Sequence, residues 1–430
     1  MKIILKYFSH LFLFISCILF LYILYKSEIY ISTKKINYYY YYFILSFLLI
    51  IFSVFTFFIN YQIKKYLLII GLSIVFSFYM FEGYLTYKSI NKKDNRLLYF
   101  KKLKQKNPYT TVTVPPNFYL NKNYNILPLS GMSNLDTIHC NENGYFSTYK
   151  SDRYGFNNPD NEWNSEEIEF FLIGDSFTHG ACVNRPNDIA SVLRTLSNKS
   201  VLNLGYDSNG PLLEYATFKE YFNPKAKIFV WIYYEGNDLF NLEKEVKNII
   251  LNKYFNDPNF SQSLRVRQKE IDNLLNKLIN KELDMNDEWL SFFKLYKLRS
   301  IFFSIEPQEP QFNIEPQEPR DIKTKLTSNN LETLKKIMSL TKEKVLKNKS
   351  QLYFVYLPSI EHDNLNYNRI KKIINSMEIN FIDMHKIFYK KNSLLKYVAD
   401  RKSGHFNIDG YKIIAETIYK FSIDKKMVNF

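Results

Sequence analysis

The stretch Phe170-Phe171-Leu172-Ile173-Gly174-Asp175-Ser176-Phe177-Thr178-His179-Gly180 decides how the rest of this chain is read. Ile168, Phe170, Phe171, Leu172 and Ile173 form a short run of apolar, β-branched and aromatic residues, the composition of a fully buried strand. The run stops at Gly174-Asp175-Ser176, and a helix-like pattern follows Asn187-Asp188. In an open parallel sheet, ligands bind beyond the carboxyl ends of the strands. A serine at that point, beside a glycine that lets the backbone turn tightly, stands where a nucleophile would. Gly-Asp-Ser alone is a common turn tripeptide, so the weight falls on what accompanies it.

Two later features do so. Gly236-Asn237-Asp238 ends another strand-like run, and Gly404-His405-Phe406-Asn407 lies near the C-terminus. In that order, the three motifs resemble the SGNH (GDSL) hydrolase superfamily. The resemblance spans roughly Lys150 to Lys425, including the approach segment Ser151-Asp152-Arg153-Tyr154-Gly155-Phe156-Asn157-Asn158. It implies a flavodoxin-like α/β fold, a parallel sheet flanked by helices, acting on esters with Ser176 as nucleophile and His405 as base. A serine hydroxyl needs such a base within hydrogen-bond reach to lose its proton. The resemblance also implies oxyanion donors: the Asn237 amide, the Ser176 N–H, and a backbone N–H after the second strand. That third donor is normally a glycine's. In the loop Asn203 to Pro211 the register puts Ser208 there, with Gly210 two residues on.

The acid that orients the histidine departs from the family pattern. The family places an aspartate three residues before the histidine, or two in some branches, and here Lys402 and Ser403 occupy those positions. Asp400 is the nearest acid, and a backbone carbonyl orienting His405 in a Ser-His dyad is the alternative. Asp175 and Asp238 read as turn braces and His179 as structural, while His10, His139, His362 and His385 have no constellation around them. An α/β-hydrolase is excluded, because its Gly-x-Ser-x-Gly elbow is missing around Ser176.

The chain has 430 residues and a net charge of +15, which invites a nucleic-acid reading until its distribution is seen. Residues 1–106 hold 15 Lys/Arg against 3 Asp/Glu, and the remaining residues are nearly balanced. The excess flanks three apolar runs, about Tyr7–Tyr25, Tyr38–Asn60 and Tyr66–Tyr87, each near the roughly 20 residues that span a bilayer. Tyrosines crowd the run edges, as interfacial aromatics do. A membrane partner is expected and nucleic acid is not. The expected organisation is a three-helix membrane segment over 1–88, an approach segment over 89–164 and a catalytic domain over 165–430, with an insertion at about 239–326.

In that approach segment Asn143-Gly144 signals a hairpin turn. Helical spacing of Ile271, Leu274, Leu275, Leu278 and Ile279 marks part of the insertion, which also repeats Ile-Glu-Pro-Gln-Glu-Pro at Ile305–Pro310 and Ile314–Pro319. The three cysteines, Cys17, Cys140 and Cys182, form neither a disulfide framework nor a zinc motif; a lone Cys140–Cys182 bridge is compatible with the pattern without being required by it.

The expected function is a membrane-anchored esterase or acyltransferase, without cofactor or metal, acting on O-acetyl esters of a polysaccharide. Its expected location is a bacterial inner membrane. Its side is open, because Lys88 to Lys106 argue for the cytoplasm under the positive-inside rule, whereas membrane-tethered relatives usually modify exported polysaccharide. The alternative is a catalytically silent domain that binds glycan or scaffolds an export complex.

Overall fold

The computed structural model describes residues 2–29, 36–90, 96–120, 124–285, 292–302, 328–360, 364–390, 394–399 and 404–428. The chain divides into two compact units, one of residues 1–93 with 285–309, the other of residues 94–284 with 310–430.

The second unit holds two sheets. A small one comprises β1 (Thr110–Val112), β2 (Asp136–Ile138) and β3 (Thr148–Lys150), with β1 parallel and β3 antiparallel to β2. The β2–β3 pair is the hairpin that Asn143-Gly144 announces, and Gly144 takes the left-handed conformation in its tip.

The main sheet comprises β4 (Ile168–Gly174), β5 (Ser200–Asn203), β6 (Ala226–Tyr234), β7 (Gln351–Leu357) and β8 (Asn380–Asp383), in spatial order β5-β4-β6-β7-β8. All its pairings are parallel. Side chains on successive strand positions point to opposite faces, and both faces here are apolar. Ile168, Phe171 and Ile173 of β4, with Phe229, Trp231 and Tyr233 of β6, enter one core; Phe170, Leu172, Ile228, Val230 and Ile232 enter the other. Helices Pro211–Tyr221 and Ser328–Lys347 contribute to the first core, Ile189–Ser197 and Ile408–Val428 to the second. The strand order reverses between β4 and β6, and such a switch point opens a crevice at the strand ends. The nucleophile motif leaves β4 there, and the Asn237 motif leaves β6.

The expected helix in the insertion is Gln268–Met285. Both copies of the proline-containing repeat lie outside the described residues.

In the first unit the three apolar runs form helices Lys2–Ile29, Ile36–Phe55 and Tyr61–Ile90. Among the described residues only two stretches, Lys6–Tyr25 and Tyr61–Lys88, are long and apolar enough to cross a membrane, and both leave most of their side chains uncovered. The expectation of three spanning helices is therefore corrected. The middle helix is apolar only over Tyr39–Phe55, about 25 Å at 1.5 Å per residue, short of a hydrocarbon core of about 30 Å. Glu82 lies within the last long helix and is fully buried, because its carboxylate accepts the backbone N–H groups of Lys297 and Leu298 at 2.9 and 2.6 Å. These two donors open the first turn of the short helix Tyr296–Phe302, where helix N–H groups lack intrahelical partners.

Candidate active site

Ser176 begins a single helical turn, Ser176–His179, directly after β4. Asp175 caps that turn, accepting the Phe177 N–H at 2.9 Å. Gly174 is required just before it: a Cβ there would meet Thr178 Oγ1 at 2.1 Å and the Ile232 carbonyl at 2.6 Å. Ser176 is thereby held at the crevice, largely buried, with the Phe177 ring stacked 3.8 Å from that of Tyr234 and 4.8 Å from the His405 imidazole.

His405 Nε2 lies 2.8 Å from Ser176 Oγ. On the other side of the ring, Nδ1 lies 2.9 Å from a carboxylate, and that carboxylate belongs to Glu142. Glu142 also accepts the His405 backbone N–H at 2.6 Å. The two bonds fix both the ring and the main chain of the base. Asp400, the acid expected from sequence, lies outside the described residues, and the Nδ1 position that it was to fill is taken by Glu142. The dyad with a backbone carbonyl is likewise displaced.

Gly404 makes room for this arrangement, since a Cβ on it would strike Glu142 Oε2 at 2.5 Å. The pairing shifts the charge preference of both partners. Burial alone would push the His405 imidazole down, yet the charge and hydrogen bond of Glu142 outweigh it and raise it above its ordinary value. Burial likewise works to raise the Glu142 carboxyl, and the His405 contacts outweigh it and lower it.

Glu142 sits at the tip of the β2–β3 hairpin, and that tip is tied down on two sides. Cys140 and Cys182 are joined in a disulfide, so the cysteine pattern does carry one bridge. Asn143 Nδ2 donates to the Cys182 carbonyl at 2.8 Å. His139, which showed no constellation in the sequence, lies 2.5 Å from Asp207 through Nε2. Asp207 is the residue before Ser208, so the hairpin also braces the expected oxyanion loop. The Asp207 carboxyl is penalised by burial but held far below its usual range by the His139 charge and hydrogen bond.

Ser208 adopts φ +59°, a left-handed conformation that favours glycine. The serine that stands at the expected donor position thus holds a backbone conformation that glycine takes without strain. The loop is fixed at its far end by Glu245, which accepts the N–H groups of Gly210, Leu212 and Leu213. Asn237 precedes the helix Asp238–Glu245. Its side chain lies beside Asp175, whose carboxyl burial pushes up to about 6 against the pull of the Phe177 N–H, His405 and Asn237.

Asp238 accepts the Tyr234 N–H at 2.8 Å, a bracing contact. His179 is buried among aromatic rings with Nδ1 3.3 Å from the Gly205 carbonyl, and burial pushes it down to about 3. Its role is structural. The approach segment locks the same loops from behind: Asn157 donates to the His179 carbonyl, and Asn158 exchanges hydrogen bonds with the Asn203 backbone. Cys140, Cys182 and His405 converge closely enough to resemble a metal-ligand set, but both sulfurs are bonded to each other.

No family profile matches the chain, and no curated protein matches it. Among solved structures, the fold is similar to that of a protein assigned to the lipolytic G-D-S-L family from Desulfitobacterium hafniense, at 16% identity and TM-score 0.33, over 59% of this chain and 99% of that one. It is also similar to an acetyl xylan esterase, at 13% identity and TM-score 0.31, over 59% and 98%. A Lactobacillus plantarum protein matches at 11% identity and TM-score 0.30, over 60% and 97%.

Proposed function

We propose that the second unit is an SGNH-type serine esterase or acyltransferase with Glu142 as its third triad member. The observation that carries this reading is the unbroken chain Ser176 Oγ–His405 Nε2 and His405 Nδ1–Glu142 Oε1, at 2.8 and 2.9 Å. In the reaction, Ser176 Oγ attacks the ester carbonyl while His405 Nε2 takes its proton. Glu142 holds the ring in the tautomer that leaves Nε2 free and stabilises the imidazolium as it forms. The developing oxyanion is received by the Ser176 N–H, the Ser208 N–H and the Asn237 amide. Collapse expels the alcohol, which His405 protonates, and leaves an acyl group on Ser176. Water then completes hydrolysis, or a sugar hydroxyl completes transfer.

Anchoring to a membrane is supported by the two long apolar helices. O-acetyl groups of a polysaccharide fit a tethered site that acts on a polymer. A fluorophosphonate probe and a chromogenic acetyl ester test the reading. Wild-type protein should be labelled and turn over, and Ser176→Ala should do neither. Wild-type protein that stays unlabelled would leave the silent, glycan-binding domain as the better description.

A further inference from the structure

We infer that the Cys140–Cys182 disulfide is the positioning device that completes the His405–Glu142 pair, so that the unit works on an oxidising face of the membrane and is switched off by a dithiol. The inference rests on the esterase reading and adds its regulation and its side.

Cys140 precedes Glu142 by two residues, and Cys182 follows by two the Gly180 that ends the nucleophile's turn. The bridge therefore joins the acid's hairpin to the nucleophile's loop. Cys182 Sγ also lies 3.7 Å from His405 Nδ1, the atom that Glu142 must occupy.

Reduction by a dithiol delivers two electrons and two protons: the S–S bond breaks, two thiols form, and the dithiol becomes a cyclic disulfide. Bonded sulfurs sit about 2.05 Å apart, whereas unbonded atoms of this size need about 3.5–4 Å. The covalent tie between the two segments is lost, leaving Asn143 Nδ2 on the Cys182 carbonyl to hold them, and a misplacement of about 1 Å at a reacting centre can cost about 10²-fold in rate. Reduction also creates a Cys182 thiol within reach of His405. A thiol beside an imidazole tends toward a thiolate–imidazolium pair, which would take the base out of service.

Disulfides persist in oxidising compartments and are rare in the cytosol. The opposing signal is the basic stretch up to Lys106. Arg96, Lys101, Lys102, Lys104 and Lys106 belong to a helix, Arg96–Lys106, of the folded unit, where Phe100 is a core residue and Arg96 bonds the Ile138 carbonyl. These charges also lie within the about 15–20 residues of a membrane helix end that the positive-inside rule counts, so the assigned side rests on the disulfide.

The test uses the full chain in detergent, before and after dithiothreitol, beside the Cys140→Ala/Cys182→Ala variant. Reduction should lower kcat on a chromogenic acetyl ester by about 10²-fold, reversibly on reoxidation. In the variant, the acidic limb of kcat/KM should move toward that of an ordinary histidine, as in Glu142→Gln. Adding Glu142→Gln to the variant should cost little more. Unchanged kcat and pH limb overturn the inference. So does loss of the circular dichroism signal in both arms, which would make the bond a staple of the fold. In intact cells, an impermeant phosphine reductant followed by an impermeant maleimide should label Cys140 and Cys182; labelling only after lysis overturns the assigned side. An oxidised wild type no more active than Ser176→Ala would sink the esterase reading instead, whatever the labelling shows.

Discussion

At the scale of single residues, the acid on His405 Nδ1 governs how the site responds to pH. His405 must be neutral to take the Ser176 proton, and Glu142 raises its pKa, so the acidic limb of kcat/KM should lie above the ordinary histidine value of 6.5. Glu142→Gln should lower kcat by about 10²–10⁴, as loss of the triad acid does, and should move that limb downward; a pH–rate profile of the variant checks both. The pair also links pH to stability. His405, raised, contributes fully below 6.5 and loses its contribution as pH rises through its folded value. Glu142, lowered, contributes above 4.5 and loses it as pH falls through its folded value. The pair therefore stabilises most between these two ordinary values. Asp400→Ala, in contrast, should leave turnover nearly unchanged, since Glu142 already fills the place it was expected to take. Asn237→Ala should reduce kcat by about 10²–10³ with little change in KM if its amide meets charge that develops only on the oxyanion.

At the scale of elements, the hairpin and the oxyanion loop explain what could and could not be read from the chain. Ser176, Asn237 and His405 were legible because each follows a strand end or sits in a short motif whose neighbours constrain it. Asn143-Gly144 made the hairpin legible too. Its contribution to the candidate site was not, because nothing local to Glu142 reports that a residue 263 positions away will dock on it. The clue available was the bracketing of both site segments by Cys140 and Cys182. Gly404→Ala tests the fit between hairpin and His405: the added methyl should displace Glu142 and reproduce the Glu142→Gln pH limb, and because Gly404 lies at φ +99° it should also lower stability to thermal unfolding by about 1–2 kcal/mol. Ser208→Gly should retain activity and gain roughly 0.5–1 kcal/mol in denaturant unfolding. A left-handed L-residue costs about 1–2 kcal/mol, and glycine's added unfolded-state freedom returns part of that.

At the scale of the whole molecule, the parallel sheet followed directly from apolar runs alternating with helices, and its order places the crevice of the candidate site between β4 and β6. The membrane segment was read less well, because residue count alone does not separate a 17-residue apolar helix from a spanning one, and the apparent run continued through Phe57, Phe58 and Ile59 although the helix stops at Phe55. Reporter fusions decide the topology. With Lys6–Tyr25 and Tyr61–Lys88 crossing and the middle helix not, fusions at Lys35 and Lys64 should report one face and a C-terminal fusion the other. Disagreement between Lys35 and Lys64 would restore the third crossing.

The disulfide that ties the hairpin to the nucleophile loop also sets an order in time. Its cysteines are 42 residues apart, and His405 follows Cys182 by 223. At about 5–20 residues per second, the second sulfur leaves the ribosome roughly 10–45 seconds before the base does. On the inferred oxidising face, an oxidase at the point of translocation would meet both thiols on the nascent chain and could join them before the His405 imidazole is there to compete. A nascent chain stalled before Gly404 would carry the acid and the nucleophile already fastened to each other and still be inert. On the esterase reading, the site is armed only when the segment that carries His405 has been synthesised.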